Sequence, residues 1–444
     1  MEIRFGTSGL RGLTDTEISE ELCWKIGAAL AGYFGEGKTL GLGYDTRPGA
    51  SRLAGVCAAA MESAGASVVN MGIAPSPLVC AMVCSRKLDG GLMVTGSHLS
   101  YDRIGLIPLD RLGAIPPRAE TAKIAALAEG IKPTHLLSQL PEEHDFAFEY
   151  LQFIQRACAS NLPGKNVRVA LDTAGATGAG LIPRLMNDLG CNVRALHDAK
   201  LDFAPRKMEP RADCVAELSE LVDETGSDFG AAYDSDCDRV LFVDETGNPV
   251  SEDMAAVIFA KYIFSGGPGN LVTPVNSSGL IKKVWKGQVV ECEIGPPEIS
   301  LAAQTYNARF AYEESGKYFF PPEAMWADGI IATAMMAKIL GTTRKKLSDI
   351  VREFPRHVQF KRNVKGTWDQ VADVMAKVRE NFSPEGAILN DTDGLKYVYG
   401  DGSWLLIRAS GTEPLVRVYT DSPSPARARE LSDLGISVVR DNMA

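Results

Sequence analysis

Asn166-Val-Arg-Val-Ala-Leu-Asp172 has the apolar, β-branched character of a strand, and a helical stretch and a second strand, Gly190-Cys-Asn-Val-Arg194, follow it. The helical stretch covers about residues 179–189. The same order recurs at 39–45, 51–63 and 65–70, and again at 270–273, 278–285 and 287–291. Strand, helix and strand in this order indicate βαβ units with parallel sheets. The sequence therefore predicts an α/β protein whose unit is repeated three times.

The C-terminal region departs from this repeat. It predicts a helix over 368–381, short strands near 395–399, 403–407 and 416–419, and a last helix over 425–434, which suits a smaller α+β domain. We expect four domains, with linkers near Pro141, Glu252 and Pro355: residues 1–142, 143–251, 252–355 and 356–444. Right-handed crossovers place the strand-to-helix turns at one edge of each sheet, where ligands bind.

The composition argues against some classes of function. The 444 residues carry a net charge of −10 with 45% hydrophobic and 23% charged residues, which is typical of a globular protein and argues against a nucleic-acid or anionic-membrane binder. No apolar run has transmembrane length, and the N-terminus lacks a signal pattern. Nine cysteines without CxxC pairs favour reduced thiols and a cytoplasmic location.

The stretch Tyr233-Asp-Ser-Asp-Cys-Asp-Arg239 predicts a metal site. In extended backbone, carboxylates at Asp234, Asp236 and Asp238 lie on one side and repel one another. A hard cation such as Mg²⁺ or Ca²⁺ resolves that repulsion, and Arg239 suggests an anionic ligand. A solvated acidic turn is the alternative. An EF-hand is excluded because Arg239 occupies the position that needs glycine.

Three further motifs follow apolar runs. Thr95-Gly-Ser97-His98 offers a serine on a small-residue turn, which can be a nucleophile or a phosphate carrier. Such a serine is more often part of an ordinary turn. Arg408-Ala-Ser-Gly-Thr-Glu-Pro414, with Arg417, offers a guanidinium, hydroxyls and backbone N–H groups for a phosphate. Glu313-Glu-Ser-Gly-Lys317 offers carboxylates that suit sugar hydroxyls, or a solvated acidic turn.

These motifs, in this order along the whole chain, resemble the α-D-phosphohexomutase family. Phe5-Gly-Thr-Ser-Gly-Leu-Arg-Gly12 and Tyr44-Asp-Thr-Arg47 are similar to its N-terminal and first-domain arginine motifs. The resemblance implies three similar α/β domains with mixed, mainly parallel sheets and a C-terminal α+β domain around one central cleft. It also implies a phosphoserine at Ser97, a bisphosphorylated sugar intermediate that also serves as activator, and Mg²⁺.

The resemblance assigns roles to individual residues. It implies catalytic roles for Ser97, His98 and Arg11. Metal ligands would be Ser97, Asp234, Asp236 and Asp238. Substrate contacts would come from Thr7, Ser8, Arg239, Glu313, Ser315 and Lys317, and phosphate contacts from Arg408, Ser410, Gly411, Thr412 and Arg417.

The chain also departs from the family pattern. The asparagine and proline that usually follow the serine and histidine are Leu99 and Ser100, and the family lysine falls on Ile107. We expect Lys317 or Arg103 to replace that lysine. Lys317 is the better candidate for proton transfer, because arginine stays protonated.

The leading hypothesis is a mutase that interconverts sugar 1-phosphates and 6-phosphates of the glucose and mannose type. A glucosamine-phosphate or pentose-phosphate mutase of the same family remains open, as do a sugar-phosphate sensor without catalysis and a metal-dependent phosphatase. We expect a small-molecule sugar phosphate as the partner, no nucleic acid or membrane, and a monomer or homodimer.

Overall fold

A computed structural model describes residues 3–133, 138–264, 269–411 and 413–443. It contains four five-stranded sheets, which follow one another along the chain. Among the helices of the described residues, none combines the length and the apolar character needed to cross a membrane.

The first domain is a mixed sheet with helices packed against it. Its strands are β1 (Leu10–Leu13), β2 (Thr39–Tyr44), β3 (Ser67–Ile73), β4 (Gly90–Val94) and β5 (Arg103–Leu109). Its helices are α1 (Glu20–Phe34), α2 (Ala50–Ser63), α3 (Ser76–Ser85) and α4 (Arg118–Glu129). The strand order is β1-β5-β4-β2-β3, with β2 parallel to β3 and β4 and with β5 antiparallel to both of its neighbours.

The second domain repeats this arrangement. Its elements are α5 (Ala147–Ala157), β6 (Arg168–Asp172), α6 (Leu181–Asp188), β7 (Asn192–Leu196), α7 (Ala216–Thr225), β8 (Phe229–Tyr233), β9 (Val240–Asp244) and β10 (Pro249–Val250). The order β10-β9-β8-β6-β7 has β6 parallel to β7 and β8. The antiparallel pair β8–β9 holds a short loop at the sheet edge where β6 and β8 end.

The third domain carries the same unit with more helices. Its elements are α8 (Glu252–Tyr262), β11 (Asn270–Pro274), α9 (Leu280–Val284), β12 (Val289–Cys292), α10 (Pro296–Thr305), β13 (Ala308–Glu313), β14 (Lys317–Phe320), β15 (Ala324–Ala327), α11 (Gly329–Thr343) and α12 (Leu347–Arg352). Its order is β12-β11-β13-β14-β15, with β11 parallel to β12 and β13.

The fourth domain is a fully antiparallel sheet covered by two helices. Its elements are β16 (Val358–Lys365), α13 (Trp368–Asn381), β17 (Ala387–Asn390), β18 (Leu395–Tyr399), β19 (Trp404–Ala409), β20 (Leu415–Ser422) and α14 (Pro425–Met443). The strand order is β16-β20-β19-β18-β17.

The predicted fold class is confirmed. Each of the three predicted repeats forms a parallel strand pair joined by a helix. The sequence did not predict β16 or β17, and α14 continues to Met443 rather than ending near residue 434. The proposed domain boundaries remain a prediction, although each sheet lies inside one of the four predicted ranges.

Packing between domains sets the positions of the functional loops. One apolar core runs from α3 of the first domain through the second domain into the third. At its centre the ring of Phe259 lies 5.2–6.1 Å from those of Phe242, Phe310, Tyr318 and Phe320, all four of them edge-on. The shared core therefore fixes the edge loops of the second and third domains relative to one another.

Candidate active site

Residues 234–239, the metal loop, join β8 to β9. The prediction of an extended backbone was wrong: the loop is a turn, and Cys237 lies in the left-handed region with φ of 63°. The turn nevertheless brings the carboxylates together, because one oxygen each of Asp234, Asp236 and Asp238 lies within 4.8 Å of the others. The convergence comes from the turn and not from strand alternation.

The three carboxylates are electrostatically unequal. Burial, together with the charges of Asp236 and Asp238, raises the pKa of Asp234 well above its usual range. Burial and the charge of Asp238 raise the pKa of Asp236 to about 6. For Asp238 burial acts in the same direction, but Lys317 and Arg239 outweigh it and lower the pKa. At neutral pH this cluster concentrates negative charge out of water, which a cation would offset.

The donor set fits a hard divalent cation. Asp236 Oδ1 and Asp238 Oδ1 are buried and accept no hydrogen bond from any part of the chain that the structure describes. Buried acceptors of this kind carry a desolvation cost unless a ligand engages them. All of the groups are oxygens, the ligands that Mg²⁺ prefers. Asp234, Asp236, Asp238 and an oxygen on Ser97 would hold the ion.

Ser97 faces this cluster from the first domain. Its Oγ donates to Asp234 Oδ2 at 2.9 Å and lies 3.3 Å from His98 Nδ1. The residue is buried and has φ of 49°. Arg11 Nη1 lies 3.4 Å from the same His98 nitrogen. Burial and the positive charges of Arg239 and Arg11 lower the pKa of His98, so this imidazole is neutral at physiological pH.

Arg47 holds the serine loop, residues 95–103, in this conformation. Its guanidinium is fully buried and donates to the carbonyl oxygens of Ser97, Leu99, Ser100 and Arg103 at 2.5–2.9 Å. Asp45 balances the charge at 3.0 Å and also accepts from Thr95 Oγ1 and the Gly96 N–H. One arginine thus organises the backbone that presents Ser97.

Arg47→Met is expected to lower the free energy of unfolding by about 3–5 kcal/mol, because it leaves Asp45 as an uncompensated buried charge. Urea unfolding measures this loss. Arg52→Met is the control, since Arg52 is 39% exposed in its ion pairs with Asp15 and Glu20 and should cost less than about 1 kcal/mol. Equal losses for the two variants would contradict the role assigned to Arg47.

The two candidates for the missing lysine lie in different surroundings. Lys317, at the start of β14, is 1% exposed, and its Nζ lies 2.5 Å from Asp238 Oδ2. Ile107 is buried on β5 and lines the same small cavity as Asp238. Arg103 is 40% exposed and pairs with Glu17 at 3.7 Å. The geometry therefore places an amine beside the metal loop at Lys317 and leaves Arg103 at the surface.

The substrate-contacting candidates lie around the same loop. Arg239 donates through Nη1 to Glu209 at 2.8 Å, while its buried Nε makes no hydrogen bond among the described residues. Residues 313–317, the sugar loop, join β13 to β14, and Ser315 Oγ donates to Glu313 there. Thr7 packs close to Gly295 of the third domain, and the carbonyl of Ser8 accepts from Arg11 Nε at 3.0 Å.

The phosphate candidates lie on the fourth domain. Arg408 on β19 and Arg417 on β20 are direct cross-strand partners, so their like charges share one face of the sheet. Arg408 Nε donates to Asp393 at 2.8 Å, and Arg417 has a buried Nε without a hydrogen-bond partner in the described ranges. Ser410 Oγ lies 3.5 Å from Arg417 Nη2, and Gly411 is exposed. Thr412 lies outside the described residues.

Sequence reasoning missed several supporting residues. Ser76 Oγ donates to Asp236 at 2.6 Å from a position 160 residues away. Glu209 orients Arg239, and Arg206 donates to the carbonyl of Tyr233 at 2.7 Å, just before the metal loop. No local motif marks these residues, because each acts through a contact made only on folding.

Comparisons with known proteins match all four regions of the chain. Family models for phosphoglucomutase/phosphomannomutase alpha/beta/alpha domains I, II and III match residues 2–135, 148–247 and 251–358. The model for the C-terminal domain matches residues 358–434. The chain belongs to the phosphoglucomutase/phosphomannomutase family, the α-D-phosphohexomutases, as the sequence motifs predicted.

Relatives with different names resemble the chain to a similar degree. A phosphoglucomutase/phosphomannomutase of Thermococcus kodakarensis is 32% identical, with 98% of both chains covered. A probable phosphoglucosamine mutase of Methanosarcina barkeri is 31% identical over 94% of this chain and 95% of its own. A phosphopentomutase of Thermococcus kodakarensis is 30% identical over 98% of this chain and 97% of its own.

Solved structures share the fold. A phosphoglucomutase/phosphomannomutase family protein of Burkholderia thailandensis superposes with a TM-score of 0.85 at 20% identity, covering 98% of this chain and 97% of its own. Aspergillus fumigatus N-acetylphosphoglucosamine mutase, in complex with GlcNAc-6P and magnesium, gives 0.66 at 16% identity, covering 100% and 96%.

Proposed function

We propose that the protein is an intramolecular phosphotransferase that interconverts a sugar 1-phosphate and its 6-phosphate through a phosphoserine at Ser97. The observation that carries this proposal is the buried Ser97 hydroxyl, 2.9 Å from Asp234 within a carboxylate cluster suited to a divalent cation. Phosphoryl transfer depends mainly on positioning and charge stabilisation, and these groups supply both.

The residues of the candidate site would have separate roles in this reaction. Phosphorylated Ser97 would transfer its phosphoryl group to the free hydroxyl of the sugar phosphate, whose proton goes to Lys317, and the bisphosphate, once turned over, would return its other phosphoryl group to Ser97 Oγ. Bound Mg²⁺ would neutralise charge on the transferring phosphoryl group. Arg11 and Arg239 contribute fixed positive charge beside Ser97, and neutral His98 is a hydrogen-bond partner for Oγ.

A second phosphate site is needed because the intermediate presents each of its phosphates in turn. Arg408 and Arg417 would bind the phosphate that is not reacting, with Ser410, Gly411 and Thr412 as further donors. Asp393 and Glu413 pair with these two cross-strand arginines at 2.8 and 3.3 Å, and the buried Nε of Arg417 still has no hydrogen-bond partner among the described residues. This arrangement supports a dianionic ligand on the fourth domain.

Glucose and mannose phosphates are the proposed substrates. The Glu313-Glu-Ser-Gly316 sequence and the Thermococcus relative named phosphoglucomutase/phosphomannomutase support this assignment. The relatives named phosphoglucosamine mutase and phosphopentomutase, at nearly the same identity, keep those sugars as the alternative. We propose the cytoplasm as the location, because all nine cysteines are free thiols, seven of them buried and two half-buried.

The test is phosphorus NMR on the Mg²⁺-loaded protein, activated with glucose 1,6-bisphosphate and given hexose, hexosamine and pentose 1-phosphates in turn. Conversion of glucose or mannose 1-phosphate to its 6-phosphate is expected. Faster conversion of a hexosamine or pentose phosphate would correct the substrate. Release of inorganic phosphate alone would make the protein a phosphatase, and no reaction with any sugar would favour a sensor.

Lys317→Ala is expected to lower kcat by about 10²–10⁴-fold, because Lys317 is proposed to replace the missing acid/base lysine. Steady-state kinetics at saturating Mg²⁺ measures this loss. Lys317→Arg restores the positive charge beside Asp238 but not proton transfer, so its kcat should stay low. Arg103→Ala, at the exposed alternative position, should stay within about threefold of the wild type. Near-normal turnover by Lys317→Ala, with Ser97→Ala inactive, would show the assignment to be wrong.

A further inference from the structure

The two adjacent carboxylates of the sugar loop make contacts in different parts of the molecule. Glu313 accepts from Ser315 within the loop. Glu314 is instead half-buried beside the fourth domain: it forms an ion pair with Lys361 of β16 there, and it accepts from Asn276 Nδ2 of the third domain at 2.7 Å. The loop proposed to select the sugar is therefore tied to a domain that begins more than 40 residues later.

The charges around Glu314 make its ion pair with Lys361 important for the position of the sugar loop. Glu252 and Asp253 lie nearby and add negative charge, while Lys361 is the main positive charge that faces the carboxylate. Burial raises the pKa of Glu314 to about 7, and Lys361 opposes that rise. Asp253 also accepts from Tyr312, the residue that leads into the sugar loop, at 2.9 Å. Loss of Lys361 would remove the ion-pair partner of Glu314 and the largest positive charge acting on Glu252 and Asp253.

A second contact joins the same two domains at the phosphate site. Asp393 of the fourth domain accepts from the backbone N–H of Ile294 in the third domain through one oxygen and from Arg408 Nε through the other, at 2.9 and 2.8 Å. The arginine proposed to bind phosphate and the loop proposed to bind sugar are thus both anchored at the interface between the third and fourth domains.

We propose that Glu314 and Lys361 are a positioning pair, which fixes the sugar loop to the fourth domain so that sugar hydroxyls and the non-reacting phosphate are bound by one rigid arrangement. The inference rests on the proposed mutase function. Neither residue is assigned a contact with the substrate. Their effect is on where Glu313 and Ser315 lie when Arg408 and Arg417 hold the phosphate.

Lys361→Met is expected to raise KM for the sugar 1-phosphate by about tenfold or more while kcat falls less, because the loop that contacts the sugar loses its anchor and Ser97 does not. Lys361→Arg should restore KM to within about threefold of the wild type. Arg362→Met is the matched control: Arg362 is the next residue on β16, is similarly exposed at 43%, and pairs with Asp433 inside the fourth domain. A KM for Lys361→Met within about twofold of that control would overturn the proposal.

A readout independent of catalysis separates this inference from the proposed function. Amide hydrogen exchange over residues 313–317 should be at least about tenfold faster in Lys361→Met than in Arg362→Met, without any substrate. An unchanged exchange rate overturns the positioning role even if the protein is a mutase, whereas failure of the wild type to isomerise any sugar overturns the function but not the anchor. If Lys361→Met does not fold, Glu314→Gln with Lys361→Met removes both charges and is measured in its place.

Discussion

Ser97→Ala is expected to lower mutase kcat by at least about 10⁴-fold, since it removes the oxygen proposed to accept the phosphoryl group and nothing nearby can replace it. The nearest other hydroxyls already donate elsewhere, Ser76 Oγ to Asp236 at 2.6 Å and Ser235 Oγ to the carbonyl of Ser97 at 2.6 Å. The loss should appear in kcat at saturating sugar phosphate and bisphosphate, in a coupled assay for the 6-phosphate.

The fold of this variant should be intact. The hydroxyl donates to Asp234 and lies 3.3 Å from His98 Nδ1, and loss of these contacts costs about 1–3 kcal/mol. Alanine tolerates the backbone at position 97 no worse than serine. Ser100→Ala is the control, because Ser100 lies in the same loop but is exposed. Turnover by Ser97→Ala above about 1% of the wild-type rate would mean that the phosphoryl group travels by another route.

Asp236→Asn is expected to abolish turnover and yet to stabilise the metal-free protein by about 1–3 kcal/mol. The folded-state pKa of Asp236, about 6, lies above the ordinary value of an aspartate. Its ionised form therefore opposes folding at neutral pH, by about 1.4 kcal/mol for each unit of the difference. Asparagine keeps the shape and removes the charge. Urea unfolding in EDTA at pH 7.5 measures the gain.

The pH dependence of this gain in stability tests whether the charge of Asp236 is its cause. A carboxylate whose pKa is raised in the folded state destabilises the fold above that pKa and has no effect below its unfolded-state pKa. The difference in the free energy of unfolding between Asp236→Asn and the wild type should therefore shrink as the pH falls from about 7 to about 4. Added Mg²⁺ should stabilise the wild type and not the variant. A variant that is less stable than the wild type in EDTA at pH 7.5 would contradict this electrostatic account of the metal loop.

The sequence predicted those parts of the fold whose signal is local. The three parallel strand pairs follow from apolar runs with a glycine turn after each helix, and α13 begins and ends where its pattern predicted. Strand β17 was missed because its four residues carry no alternation: Ile388 and Leu389 are both exposed on this edge strand. The last helix was predicted too short because Gly435 and the β-branched Ile436, Val438 and Val439 have weak helix propensity, whereas burial of Ile436 and Val439 keeps the helix in place.

The candidate site likewise divides into residues that local motifs mark and contacts that form only on folding. Asp234, Asp236, Asp238 and Ser97 stand in short motifs, so their chemistry could be read before their geometry was known. The extended backbone expected for the metal loop was wrong because Cys237 takes a left-handed conformation, which no residue type in the loop indicates. The partnership of Lys317 with Asp238, 79 residues apart, and the anchor between Glu314 and Lys361 depend on how whole domains pack.

Transfer of a labelled phosphate to Ser97 tests the central claim most directly. The Mg²⁺-loaded protein is incubated with glucose 1,6-bisphosphate carrying ³²P, digested, and its peptides are mapped, with Ser97→Ala as the blank. We predict one label per chain on the peptide that contains Ser97, stable in buffer and discharged into sugar bisphosphate when unlabelled glucose 1-phosphate is added. A wild-type protein that stays unlabelled, or that loses the label as inorganic phosphate whether or not a sugar is present, would contradict the mutase mechanism.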